Sequence, residues 1–210
     1  MGPKISIIDY GMGNIYSIKC ALKEVGLKSI LTNSAKEIKK TQAIILPGVG
    51  AFPEAMKRLK KNKIIDVIED FHNKNKLIIG ICLGMQLFFE KSSEISKSSG
   101  LSLIKGRVEK FKQNQKSMNV GWSQIELVKN NNSKQTFLEK DLNKKSMYFI
   151  HSYHCIPDDK NSITSNSVFE NKKFVSSLSL NNIIAFQFHP EKSGRNGIKV
   201  YKEISKIIHS

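Results

Sequence analysis

The chain has 210 residues, 40% of them hydrophobic, with 34 basic and 18 acidic side chains and a net charge of +16. That length suits one sizeable core, expected as a single domain over residues 1–210, and no apolar run is long enough to cross a bilayer. Arginines are few (Arg58, Arg107 and Arg195) and the lysines are spread along the whole chain, so the charge does not read as a nucleic-acid-binding stripe.

The opening "MGPKISIIDY" lacks the long apolar stretch of an export signal, and a cytoplasmic protein is expected. Residues 5–10 form an apolar, β-branched run followed by "GMGN", which predicts a buried strand and a tight loop. Ile15, Ile18, Leu22 and Val25 recur at helical spacing, with Gly26 placed to end the helix. "AIILPGVG" (43–50) predicts a second buried strand ending in a Pro/Gly loop. Helices are predicted over 51–60 and 64–72, a third buried strand over 76–81 and a helix over 83–90. Alternating strands and helices imply a parallel sheet covered on both faces. Such sheets bind ligands at the carboxyl ends of their strands, where 10–14, 47–50 and 82 fall.

The second half changes character. Residues 91–100 read as a polar loop and 130–134 as a surface loop. Short strands are expected near 107–111, 121–128, 147–154, 174–178 and 183–188, forming an antiparallel or mixed addition to the sheet. Ile198, Tyr201, Ile204 and Ile208 give the apolar face of a last helix near 195–208.

Within this frame "GICLGMQ" (80–86) places Cys82 between two glycines, after an apolar strand and before a helix. This is the pattern of a nucleophile elbow with sulfur in place of oxygen. Glycines on both sides relieve crowding around a strained residue, and the helix start favours thiolate. The Leu83 N–H is placed to donate to an oxyanion beside the sulfur. The plain alternative is a small buried hydrophobe. The three cysteines, Cys20, Cys82 and Cys155, are too few and too widely spaced for a disulfide framework or a zinc site.

A cysteine nucleophile needs a base. His72 lies among charges in a predicted helix and His209 lies at the chain end; both read as surface residues. His189 instead follows the buried run 182–188, and Glu191 comes two residues later. In extended backbone the two side chains face the same way, and Pro190 biases His189 towards that geometry. The carboxylate can then orient the imidazole and stabilise its charged form.

"LPGVGAF", "GICLGMQLFFE" and "QFHPEKSG", in this order, resemble the class I (triad-type) glutamine amidotransferases. "DYGMGN", "GLSLIKGRVEKF" and "YFIHSYH" are similar to the glutaminase subunits of imidazole glycerol phosphate synthases. The resemblance implies a three-layer α/β/α fold, mostly parallel with an added antiparallel part. It implies hydrolysis of L-glutamine through a Cys82–His189–Glu191 triad, with the N–H groups of Leu83 and Val49 as oxyanion donors. It also implies that Gly50, Gln86, Glu94, His151, Ser152 and Tyr153 bind glutamine. No cofactor or metal is implied. The partner implied is a (β/α)₈-barrel cyclase, joined as a heterodimer through Asn14, Trp122 and Tyr148 in histidine biosynthesis. One stretch departs from the pattern: Pro-His-hydrophobic-Gly-Trp-Asn becomes Met118-Asn119-Val120-Gly121-Trp122-Ser123. That leaves open a paralogue feeding ammonia to another synthase, such as one aminating a nucleotide sugar. A stand-alone cysteine hydrolase and a basic binding subunit with an inactive triad are the other readings.

Overall fold

The computed structural model describes residues 4–95, 98–111, 118–128, 137–138 and 140–209. The first half alternates as expected: β1 (Ile5–Ile8), α1 (Ile15–Glu24), β2 (Ser29–Thr32), α2 (Ala35–Ile38), β3 (Ala43–Leu46), α3 (Phe52–Lys61), α4 (Ile65–Asn73), β4 (Leu77–Ile81) and α5 (Leu83–Leu87). The second half is mainly strands: β5 (Phe89–Ser92), β6 (Ser98–Ser99), β7 (Ile104–Lys110), β8 (Asn119–Gln124), β9 (Glu126–Leu127), β10 (Ser146–His151), β11 (Tyr153–Pro157), β12 (Ile163–Phe169), β13 (Lys172–Leu180) and β14 (Ile183–Phe186). It closes with α6 (Gly194–His209).

An eight-stranded sheet of order β2-β1-β3-β4-β14-β13-β12-β9 is the backbone of the molecule. β2, β1, β3, β4 and β14 run parallel, and β13, β12 and β9 continue antiparallel. The central strands are apolar throughout because both of their faces are covered. Successive side chains point to opposite faces. Ile5, Ile7, Ile45, Ile79 and Ile81 belong to a core with Ile18 and Leu22 of α1 and Val200, Tyr201 and Ile204 of α6. Ile44, Leu46 and Ile78 belong to the other core, with Phe52 and Leu59 of α3 and Ile68 and Phe71 of α4. The α/β/α layering and the antiparallel addition follow from this arrangement. No described helix is long and apolar enough to cross a membrane.

Several sequence expectations are corrected. The helix predicted over 83–90 stops at Leu87, and Phe89–Ser92 turns into β5. The polar stretch 91–100 is therefore partly strand: β5 pairs with β6 and, in parallel, with β7. Residues 121–128 and 147–154, each read as one strand, are each divided between two sheets. β8 and β10 pair with one another, whereas β9 joins the main sheet and β11 pairs with β7. The breaks fall at Ile125 and Ser152, where the backbone turns to other partners: Ile125 N–H donates to Lys145 and Ser152 C=O accepts from Phe111. The short, half-exposed β2 and the hydroxyl-rich β12 give no apolar signal, and both escape the sequence reading. The loop expected at 130–134 lies outside the described residues.

Two glycines separate packing from backbone strain. A Cβ at Gly84 would lie 1.8 Å from the Leu46 carbonyl oxygen of β3, whereas at Gly26 (φ +76°) it would meet nothing within 4 Å. Gly84→Ala should cost more than about 3 kcal/mol by overpacking against backbone. Gly26→Ala should cost only about 1 kcal/mol, the penalty of left-handed backbone. Urea denaturation of the two variants measures the difference.

Candidate active site

Cys82 is the hinge between β4 and α5, with φ +54° and ψ −107°. Its N–H donates to the Phe186 carbonyl over 2.7 Å, extending the pairing of β4 with β14. The flanking glycines have a different use from the one expected. They do not mainly relieve the cysteine. A Cβ at Gly80 would lie 2.4 Å from the Phe88 ring and 2.8 Å from the Met85 nitrogen, and Gly84 is pressed onto β3. Glycine at both positions lets α5 fold back onto the strands that present the cysteine. With α5 only five residues long, its macrodipole is small, so the environment of the sulfur is set mainly by neighbouring groups.

Ile81 pairs with Phe186 in the parallel ladder, so the chain beyond β14 emerges beside Cys82. His189 stands three residues along that exit and is 1% exposed. Its N–H donates to the Tyr148 carbonyl at 2.9 Å, and its own carbonyl accepts from the Ser193 hydroxyl at 2.6 Å. Its Nδ1 lies 2.8 Å from Glu191 Oε1, with both side chains almost fully buried. The contact expected from an extended i, i+2 pair is made differently. His189 is extended (φ −101°, ψ 95°), but residues Pro190–Lys192 form a 3₁₀ turn that folds the carboxylate back to the ring. The other ring nitrogen, Nε2, is buried and makes no hydrogen bond among the described residues. Burial pulls the His189 pKa down, but the charge of a Cys82 thiolate, interaction with its sulfur, and the Glu191 carboxylate outweigh this and raise it to about 10.

The sulfur forms part of the wall of a cavity of about 360 Å³. Its lining includes Val49, Gly50, Leu83, Gln86, Glu94, His151, Ser152 and Tyr153, so every residue assigned from the sequence to glutamine or oxyanion binding is gathered there. Gly50 (φ +106°) packs closely enough on Met12 that a Cβ would lie 2.8 Å from its methyl carbon. The Tyr10 hydroxyl donates to the Pro47 carbonyl at 2.6 Å, which ties the 10–14 loop to the 47–50 loop. Glu94 accepts from the Phe52 N–H at 2.7 Å, capping α3. The Gln86 amide donates to the Tyr153 carbonyl and to Gln187 Oε1, each at 3.1 Å.

His151 is held between Tyr153 O, 2.8 Å from Nδ1, and Asn119 Nδ2, 3.1 Å from Nε2. A carbonyl can only accept, so Nδ1 carries the proton and Nε2 receives the Asn119 N–H. Burial lowers its pKa to about 3, so the ring is neutral. Asn119, in the stretch that departs from the family pattern, thus donates to a cavity residue whose tautomer the Tyr153 carbonyl sets.

The proposed interface residues lie elsewhere. Trp122 is 57% exposed on β8 and meets Tyr148 on β10 edge-on, with ring centres 5.9 Å apart. A core role for Trp122 is excluded. Asn14 stands just before α1 and donates to the Ser17 hydroxyl. Of the histidines expected at the surface, His209 is exposed and His72 is half-buried. Cys20 is exposed and Cys155 buried. Sequence reasoning missed Gln187, whose amide nitrogen lies 3.7 Å from the Cys82 sulfur. The signal was available: a lone amide in the apolar run 183–188.

The family model for class-I glutamine amidotransferases matches residues 6–204. The chain belongs to the class-I glutamine amidotransferases. Within that class it falls in the HisH family. It is 42% identical to the imidazole glycerol phosphate synthase subunit HisH of Lactococcus lactis, over 95% of this chain and 96% of that protein. It is 39% identical to that of Pyrococcus furiosus, over 97% and 99%. Among solved structures, the PurLQS structure from Thermotoga maritima aligns with TM-score 0.74 at 18% identity, over 99% of this chain and 100% of that one. The Trypanosoma brucei CTPS glutaminase domain with bound acivicin aligns with TM-score 0.67 at 14% identity, over 98% and 93%. Both show the fold.

The raised His189 value predicts a pH dependence. Its folded pKa, about 10, stands above the ordinary 6.5, so the interaction stabilises the fold fully below pH 6.5 and is lost as pH rises through about 10. Cys82→Ala removes the sulfur's contribution and leaves burial to pull the imidazole down. Histidine side-chain NMR titration should show that fall, and Tm should decline less between these limits in the variant. A His189 value at or below 6.5 in the unsubstituted protein would contradict the account.

Proposed function

We propose that this chain is the glutaminase subunit of an imidazole glycerol phosphate synthase, acting in histidine biosynthesis through Cys82, His189 and Glu191. One observation carries the reading: in a chain of the HisH family, Cys82 lines a cavity together with Gly50, Gln86, Glu94 and His151, and the buried His189–Glu191 pair interacts with its sulfur. The Cys82 thiolate attacks the glutamine carboxamide carbon. The oxyanion is held by the N–H groups of Leu83, at the first turn of α5, and Val49. His189 passes a proton to the departing ammonia, leaving a thioester. It then takes a proton from water, whose oxygen attacks the thioester and releases glutamate and the thiolate. Glu191 holds the imidazole in orientation throughout. Gly50, Gln86, Glu94, His151, Ser152 and Tyr153 bind glutamine. Glu94 pairs with the ammonium, since a zwitterion leaving water needs its charges matched.

Ammonia is largely protonated in neutral water and is then no nucleophile, so it must pass directly to its acceptor. A docked partner meets that need. The cavity mouth is rimmed by apolar side chains: Val49, Met118 and Ile150 line the cavity and are all at least 36% exposed. The partner is a (β/α)₈-barrel cyclase, joined in the cytoplasm as a heterodimer through this face with Asn14, Trp122 and Tyr148. The whole assembly acts as a lyase, and residues 1–210 act as one amidotransferase domain.

Cys82→Ala should abolish glutamine-dependent synthesis by the complex and spare synthesis from added ammonium. Glu191→Gln should lose less activity than His189→Ala, because the base remains. Equal loss of both activities in Cys82→Ala would mean a structural cysteine. Glutamate release by the chain alone should rise about a hundredfold, or about 2.7 kcal/mol of barrier, when the cyclase and its nucleotide substrate are added. Full activity without a partner would favour a stand-alone hydrolase. Stimulation only by another synthase would select the paralogue.

A further inference from the structure

We propose that Gln187 is a catalytic residue that donates a side-chain N–H to the Cys82 sulfur and holds it as thiolate. The inference rests on the reading of Cys82 as nucleophile. It starts from orientation. Side-chain amides are ambiguous in isolation, but here a backbone carbonyl fixes two of them in series. Tyr153 O can only accept, so the end of Gln86 that faces it is the NH₂ group. The same NH₂ lies 3.1 Å from the Gln187 amide, which must therefore turn its oxygen towards Gln86. Gln187 is left with its own NH₂ towards the sulfur, at 3.7 Å. Reversing Gln187 would set two donors against one another at Gln86 and leave a carbonyl oxygen against the thiolate.

Burial makes this contact matter. Gln187 is fully buried and Gln86 nearly so, and no solvent dipole competes for the sulfur from that side. A polar side chain in a central sheet is costly unless each of its groups is paired, and Gln187 has a partner at both ends. The third polar group near the sulfur is the Ile150 carbonyl, 3.8 Å away, which can accept only from a thiol. Ile150 O thus favours the protonated sulfur, and Gln187 and His189 favour the ionised one. A hydrogen bond to a charged acceptor is worth more than one to a neutral acceptor, so the Gln187 donor shifts that balance towards thiolate. It acts again when the thioester breaks, because the leaving group is the same thiolate. The Tyr153–Gln86–Gln187 chain runs from the cavity wall to the sulfur, so a ligand that moves Tyr153 or Gln86 also moves the donor.

The test is the pH profile of Cys82 alkylation by iodoacetamide, followed by peptide mass mapping, in the unsubstituted chain and in Gln187→Met. Methionine keeps the length and removes the donor. The profile of the variant should move to higher pH by about one unit, with alkylation at pH 6 slowed about tenfold. In the complex, kcat for glutamine should fall while KM changes little. A merely structural glutamine would leave the profile of the folded variant in place, and that result would overturn the proposal. Failure to label Cys82 in the unsubstituted chain would instead remove the nucleophile reading, and this inference with it. If Gln187→Met does not fold, ¹⁵N-labelled unsubstituted protein decides. The Gln187 side-chain amide signals should shift with pH at the midpoint of the alkylation profile; signals that stay still across it reject the contact.

Discussion

The candidate chemistry depends on one register: β4 and β14 lie side by side, parallel, with Ile81 opposite Phe186. The two strands end together, and the Cys82 N–H bonds the Phe186 carbonyl just beyond. From there the chains diverge. One turns sharply through Cys82 into α5; the other continues through Gln187 to His189. Cys82, Gln187 and His189, the proposed nucleophile, donor and base, thus come from two chain segments adjacent across one ladder, although they lie more than a hundred positions apart in sequence. A slip of one residue would turn each β14 side chain to the opposite face of the sheet. Both faces are filled by close-packed cores, so neither could accept the exchange. The hydrophobic layers therefore fix the site geometry as well as the fold.

That packing also sets the electrostatics. His189 and Glu191 are nearly removed from water, and a buried ionised group is costly unless it is paired. The imidazole meets the carboxylate on one side and the sulfur on the other, and these raise its pKa although burial alone would lower it. His151, also buried, shows what burial does without such partners: hydrogen-bonded to a neutral amide and a carbonyl, it stays neutral. Two buried histidines are driven in opposite directions by the groups they face. The neutral one lines the cavity; the charged one backs the cysteine.

Much of this was legible in the sequence because it rests on strong local signals. The buried strands declare themselves as apolar runs, the elbow as glycines around a cysteine, and the His189–Glu191 pair as two residues separated by proline. What escaped was set by tertiary context. The runs 121–128 and 147–154 are each continuous in β character, yet the chain changes sheet within them, and nothing local marks Ile125 or Ser152 as the break. The uses of Gly80 and Gly84 depend on Phe88 and on the Leu46 carbonyl, contacts that exist only once α5 has folded back onto β3 and β4. Helix α5 was overestimated because "LFFE" is as apolar as the turn before it, and only pairing with β7 makes Phe89 a strand residue. β12 was missed because its buried side chains are hydroxyls: Thr164 and Ser165 bond serines of β13, and Ser167 donates to the Gln124 carbonyl of β8. Polarity signals a surface only when no partner stands opposite.

The same structure bears on how an outer face could influence the cavity. Tyr148 lies on β10 opposite the exposed Trp122, yet its backbone carbonyl takes the His189 N–H and its N–H bonds the Ser193 hydroxyl, which itself donates to the His189 carbonyl. Tyr148 of β10 and the His189 segment are therefore joined by two hydrogen bonds. On the opposite side of Cys82, the Tyr10 hydroxyl and Met12 hold Pro47 and Gly50, the ends of the loop that carries Val49. The 10–14 loop is in turn pinned by Arg58, which donates to the Gly11 carbonyl. The proposed base and the proposed oxyanion donor thus hang from two different elements, β10 and the 10–14 loop. A partner bridging Asn14 and Trp122 would grip both. Cys82 itself follows directly on β4, a central strand of the sheet, and is buried. In this arrangement Cys82 and His189 are both buried, and Val49 is the exposed one of the three.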